Sequence, residues 1–123
     1  MIGYVTLGVS DLARAKAFYT DLLADLGAQV LIDMDRIAMI GKDMANPMLA
    51  VCIPYDEGEP HPGNGNMVAI NPGSKEACDA FYRKALDLGA TCEGEPGQRI
   101  PDMFYGAYVR DLDGNKLCFF HFG

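Results

Sequence analysis

The chain has 123 residues, half of them hydrophobic and 22% charged, a composition that fits one packed domain, or two half-domains sharing a core, and excludes a disordered polymer. Seventeen acidic against ten basic residues give a formal charge of −7 at pH 7, which argues against a nucleic-acid partner, because phosphate-backbone binding rests on Lys and Arg. There is no basic run that would suit a membrane surface and no C-x-x-C pair, and the N-terminal MIGYVTLGVSDL carries neither a charged leader nor a long apolar run. These features predict a cytoplasmic protein, with Cys52, Cys78, Cys92 and Cys118 as reduced thiols and no disulfide scaffold or zinc site.

In chain order, residues 2–7 form a predicted strand, and Ser10 or Asp11 is placed to cap a helix that starts at Leu12. Leu12, Ala15, Phe18, Tyr19, Leu22, Leu23 and Leu26 follow helical spacing, and Gly27 supplies the stop. Residues 29–33 and 37–40 are expected as a hairpin, residues 41–47 as a loop and residues 48–53 as a strand. PYDEGEPHPGNGN follows, rich in Pro and Gly and without periodicity, and is expected to link two modules. Its Gly63-Asn64-Gly65 is linker chemistry, since no strand-to-helix junction with Lys follows it.

The second half repeats the order. Residues 67–70 form a predicted strand, and Ser74 caps a helix whose buried stripe is Cys78, Phe81, Ala85 and Leu88, ended by Gly89. Residues 91–93 begin a strand, 94–102 are expected as a loop carrying Pro96 and Pro101, and 103–110 form a strand whose Tyr105 and Tyr108 either stand beside that loop as a lid or are edge-strand packing. Asp111 to Asn115 is a predicted hairpin turn in which Asp113-Gly114 supplies the positive backbone angles, before a last strand at 116–122. Asp111 and Asp113 are assigned to turn chemistry, since the remaining ligands of a calcium loop are absent.

The repetition extends to residue identities. YVTLGVSDLARAKAFYTDLLADLGA recurs sixty-three residues on as MVAINPGSKEACDAFYRKALDLGA, with Ala17-Phe18-Tyr19 falling on Ala80-Phe81-Tyr82. Two copies are too few for a solenoid, so a duplicated module that closes on itself is expected. The predicted fold is therefore α+β, two tandem β-α-β-β-β modules at residues 1–55 and 67–123 joined by a linker at 56–66.

That doubled order, with DLARAKAFYTDLL after the first strand and RDLDGNKLCFF at the end, resembles the vicinal oxygen chelate superfamily of glyoxalase I, bleomycin-resistance proteins and extradiol dioxygenases. The resemblance covers nearly the whole chain. It implies one glyoxalase-like domain over residues 1–123, whose sheets form an open, curved half-barrel around a cavity, and a homodimer. It also implies that metal-using members would place their ligands at Tyr4, Ala50, Met67 and Cys118. None of these is the usual His or Glu, and a hard divalent cation favours carboxylate, imidazole or water, so neither metal nor other cofactor is expected.

Strand alternation adds an independent expectation. One parity is plainly apolar: Val5, Leu7, Leu49, Val51, Ile53, Val68, Ile70, Leu117 and Phe119 should pack under the helices. The other is mixed, and Tyr4, Thr6, Met48, Cys52, Met67, Cys118 and Phe120 on it are the predicted ligand-binding residues, unless this face merely fills the barrel. Tyr4 is either a hydrogen-bond donor to a ligand or a packing residue, and Cys118 either a nucleophile or an inert buried thiol, with no His near it by parity. Met34, Met39, Met48, Met67 and Met103 are either an adaptable surface or gap filling. The expected function is metal-free binding of a small apolar or aromatic molecule. The alternatives are a metal-dependent lyase, isomerase or dioxygenase of the same superfamily, and a dimerisation module with a filled cavity.

Overall fold

A computed structural model describes residues 1–123. The chain divides into two compact units, Met1–Pro62 and Gly63–Gly123. The first contains β1 (Tyr4–Gly8), α1 (Leu12–Leu22), a short 3-10 turn (Ala24–Leu26), β2 (Gln29–Asp33), β3 (Ile37–Gly41) and β4 (Met48–Cys52). The second contains β5 (Val68–Ile70), α2 (Lys75–Asp87), β6 (Thr91–Ile100), β7 (Phe104–Arg110) and β8 (Lys116–Phe122). Each unit is an open four-stranded mixed sheet, ordered β1-β4-β3-β2 and β5-β8-β7-β6, so the chain is α+β with the strand–helix–three-strand order twice.

Each helix begins by the same local chemistry. Asp11 Oδ1 accepts from the Arg14 N–H at 3.0 Å, and Ser74 Oγ accepts from the Ala77 N–H at 3.0 Å, so each satisfies an amide the first turn would leave open. The ends differ from the expectation in the first unit: α1 stops at Leu22, and it is the following 3-10 turn that Gly27 (φ 79°) caps. Gly89 (φ 106°) turns left-handed just past the C-cap of α2. The Ala28 N–H then reaches Leu23 O at 3.3 Å across the 3-10 turn, and the Ala90 N–H reaches Ala85 O at 2.9 Å across the last turn of α2.

The helices cover the apolar parity of their own sheets. Ala15, Phe18, Tyr19 and Leu22 are the buried residues of α1. They share the first unit's core with Leu49, Val51, Ala38 and Ile40, all 8% exposed or less. In the second unit the Phe81 ring of α2 packs 5.8 Å from that of Phe119 on β8. Leu117, Phe119, Ala107 and Val109 are fully buried around it. Each such side chain contributes about 1.5–3 kcal/mol on burial, which makes this layer the main source of cohesion.

Two further expectations are corrected. The predicted loop at 94–102 is mostly strand: β6 runs through Pro96 to Ile100, and its pairing with β7 shifts register between Cys92 and Gly94, Gly94 and Gly97, and Gln98 and Ile100. An edge strand tolerates proline and bulges because one side of its backbone needs no ladder partner. In the turn before β8 only Gly114 has positive φ (87°), not Asp113. Here the Asp111 carboxylate organises the turn, accepting from the N–H of Asp113 (2.9 Å) and from the N–H (2.8 Å) and Nδ2 (3.1 Å) of Asn115.

A further tie joins α2 to its sheet: Tyr105 Oη donates to Asp79 Oδ1 at 2.5 Å. That bond, with smaller contributions from burial, pushes the Tyr105 hydroxyl up from 10.0 to about 12. Because the folded value is the higher one, the stabilisation is fully present below pH 10 and is lost as pH rises through about 12. Tyr105→Phe is expected to cost about 1–2 kcal/mol in urea denaturation at neutral pH. The gap between the two proteins should close under alkaline conditions. A gap that stays constant there would show that ring packing, and not the hydroxyl, supplies the stabilisation.

Candidate functional site

With one face of each sheet taken by a helix, the opposite face is where chemistry is available. In the first unit, pairing of β1 with β4 sets Tyr4 beside Met48, Thr6 beside Ala50 and Gly8 beside Cys52, and β3 adds Met39 beside Ala50 and Ile37 beside Cys52. Tyr4, Thr6, Met48 and Cys52 thus share one face, as parity predicts. Tyr4 is 52% exposed and Thr6 is open, whereas Ala50 and Cys52 are buried. Met48 is held across Gly41, where an added Cβ would stand 2.9 Å from Met48 Cγ.

In the second unit one row runs from Ala69 through Cys118 and Tyr108 to Gly94. The next rows pair Phe120 with Gly106, and Phe122 with Phe104 and Ile100. Met67 stands just before β5 and is 44% exposed. The rings of Phe104 and Phe120 stack at 5.9 Å with 4° between their planes, and Phe122 meets Phe120 edge-on at 4.8 Å. Gly106 leaves the space these rings use: a Cβ there would lie 2.8 Å from Phe104 Cε1 and 3.3 Å from Tyr108 Oη.

Sequence reasoning placed Phe120 on this face and singled out Tyr108 on its strand, but missed Phe104 and did not set Tyr108 beside Phe120. Extending the alternation from β8 across the hairpin to β7 would have found them. It also missed Arg99, hidden in the segment taken for a loop, and Lys116. The Arg99 guanidinium and the Lys116 ammonium stand 5.4 Å and 5.3 Å from the Tyr108 ring centre, close enough for cation–π attraction. Tyr105, on the alternate parity, faces the helix and is committed to Asp79.

Cys118 is fully buried. Burial pushes its thiol up, against the opposing effects of its bond with Tyr108, the Ala107 backbone and the charges of Arg99 and Lys116. Burial and the neighbouring Cys118 likewise raise the Tyr108 hydroxyl. A thiol held protonated and out of solvent is a packing residue and not a nucleophile. Cys78 is similar, buried and pushed up to about 11 mainly by desolvation.

The positions at which the superfamily's metal ligands would fall do not fit a divalent cation. They offer a half-exposed phenol (Tyr4), no donor atom (Ala50), a thioether (Met67) and a buried protonated thiol (Cys118). Nowhere are three or more His, Cys, Asp or Glu side chains gathered as a metal site would require.

This doubled fold, with its paired helix-covered sheets, defines a glyoxalase-like protein, and sequence comparison agrees. The chain matches the family model of the Glyoxalase/Bleomycin resistance protein/Dioxygenase superfamily over residues 1–119 and belongs to that superfamily. A glyoxalase/bleomycin resistance protein from Albidiferax ferrireducens T118 superposes with a TM-score of 0.88 at 33% identity, covering 100% of this chain and 99% of that one. A glyoxalase/bleomycin resistance protein/dioxygenase family enzyme from Burkholderia phytofirmans PsJN gives a TM-score of 0.77 at 20% identity, covering 96% and 95% of the two chains. Lactoylglutathione lyase from Agrobacterium tumefaciens gives 0.71 at 21% identity, covering 98% and 92%, and at that identity shows the shared fold alone. No curated protein matches the chain. No helix is long and apolar enough to cross a membrane.

The burial of the thiols leads to a direct check. Of the four unpaired cysteines only Cys92 is exposed, so Ellman's reagent should label one thiol of the native protein rapidly and the other three only on unfolding. Rapid labelling of Cys118 in the native state would show its face to be more open than described.

Proposed function

We propose that this protein binds a small, largely apolar or aromatic molecule without the help of a metal, with Met67 and Phe120 of the second unit in contact with it and the buried Cys118 packed beneath as the floor of that face. The observation that carries this reading is the stacked Phe104–Phe120 pair, extended by Phe122, on the sheet face that no helix of its unit covers. Flat rings held in place by glycine-made space offer a ligand contact area at little ordering cost, and the Tyr108 hydroxyl and the cations beside it supply polar handles. In the first unit Tyr4, Thr6, Met48 and Cys52 form a face of the same mixed kind, and we assign them the same role within that unit. The donor set at Tyr4, Ala50, Met67 and Cys118 favours binding over the metal-assisted chemistry of enzymes in the superfamily.

The protein is further proposed to act as a homodimer in the cytoplasm. Exposed Met34, Met44, Tyr55 and Met103 leave apolar surface for a second copy to cover, and four unpaired cysteines suit a reducing compartment. Light scattering should give twice the chain mass of 13.3 kDa, and a monomer at all accessible concentrations would refute the dimer.

Ala69 tests the binding face. It is exposed and sits beside Cys118, so Ala69→Phe should fill the face with a stability change within about 0.5 kcal/mol while abolishing the thermal shift given by aromatic ligands. Failure of every member of an aromatic panel to stabilise the parent would overturn the reading. A loss of about 1–3 kcal/mol in Ala69→Phe would then identify an already filled face as the reason.

A further inference from the structure

The geometry points to an anion subsite on the second unit, formed by Arg99 and Lys116 over the Tyr108 ring, so that the ligand is an organic acid or phosphate ester and not a neutral molecule. This rests on the proposed binding of a small molecule to the same face and specifies its chemical class.

The starting observation is electrostatic. Acids outnumber bases seventeen to ten in this chain, yet only some of its cations hold a carboxylate. Arg110 does, donating to Glu93 Oε1 at 3.1 Å as well as to Gly114 O, and Lys16 does, at 3.1 Å from Asp33. Arg99 and Lys116 have no such partner: the Arg99 guanidinium donates to the Glu95 carbonyl, and otherwise both cations face the ring of Tyr108. Two positive groups that share one aromatic ring repel each other, and an anion placed between them would relieve that repulsion.

The local backbone is shaped to keep Arg99 there. A Cβ at Gly97 would stand 2.8 Å from Arg99 Nη1, and one at Gly94 would stand 3.4 Å from Arg99 Nη2 and 3.0 Å from Tyr108 Cδ2. The guanidinium and the ring therefore lie over two positions that carry no side chain. One bond to Glu95 leaves most of the five guanidinium donors free, and the ammonium has three, enough for the oxygens of a carboxylate or phosphate. On β7 and β8 the next row of this face is Gly106 and Phe120, with Phe104 stacked on Phe120. The surface thus offers charge at one end and flat apolar area beside it, which suits an aromatic or alkyl acid.

The test uses the intact protein and matched probes: 2-naphthoate, 2-naphthyl phosphate, neutral 2-naphthamide and inorganic phosphate. Affinities are measured by calorimetry, and binding is located by nitrogen-15 NMR of the Arg99 Nε–H and the Gly94 and Gly97 amides. Naphthoate or naphthyl phosphate should bind at least about tenfold more tightly than the amide, and Arg99→Gln and Lys116→Gln should each remove most of that preference without weakening the amide. The better of the two anions identifies carboxylate or phosphate as the group recognised. Equal affinity for acid and amide, or a preference unchanged in both variants, would overturn the anion subsite while leaving the binding reading intact. If inorganic phosphate shifts the Arg99 resonance but no naphthyl probe binds, the subsite stands and the apolar reading fails. Absence of any shift with all four probes would refute the subsite.

Discussion

Each unit depends on the contact between its helix and the apolar parity of its sheet. In the second unit this is Phe81 against Phe119, backed by Leu117, Ala107 and Val109. In the first it is Phe18, Tyr19 and Leu22 with Leu49, Val51, Ala38 and Ile40. Because strand side chains alternate, fixing one face in this way fixes the other: Cys118, Phe120 and Tyr108 have no freedom to turn inward without exposing Leu117 and Phe119. Cohesion and the candidate site are thus divided between the two parities of the same strands.

The two units share their core rows but differ across the open face. Leu49 and Leu117 hold corresponding places on β4 and β8, each beside a buried aliphatic residue of the neighbouring strand, Ile40 or Val109. One strand position on, Ala50 corresponds to Cys118, and its neighbour Met39 to Tyr108. The first unit therefore offers small and flexible side chains where the second offers a thiol, a phenol and two cations. A duplicated scaffold can diverge on this face without disturbing the layer that holds it together.

Much of the fold was legible in the sequence because its signals are local. Ser74 as a cap, the choice of Ser10 or Asp11 for the other, Gly89 as a stop, and the alternation along β1, β4 and β8 need only neighbouring residues to be interpreted. The end of α1 at Leu22, short of the expected Leu26, did not show in the spacing. β6 was not legible, because GEPGQRI contains the residues that usually mark a loop. At the edge of a sheet Pro96 lacks only an amide that need not be paired, and the glycines are there to make room for Tyr108 and Arg99. That single misassignment concealed the charged part of the candidate site. Net charge, averaged over the chain, gave no hint that two of its ten bases converge on one ring.

In both sheets the first strand pairs in parallel with the last, β1 with β4 and β5 with β8. Parallel pairing between distant segments is slow to form, and no hairpin can template it. During synthesis, β1 must therefore wait with one edge unpaired until Cys52 has left the ribosome, whereas the hairpin of β2 and β3 can form as it emerges. The first unit can close before the second has been made. The β5 to α2 segment, which repeats the order of β1 to α1, then appears when its counterpart already has a partner, and sequential synthesis in this way limits mispairing between two copies of one module.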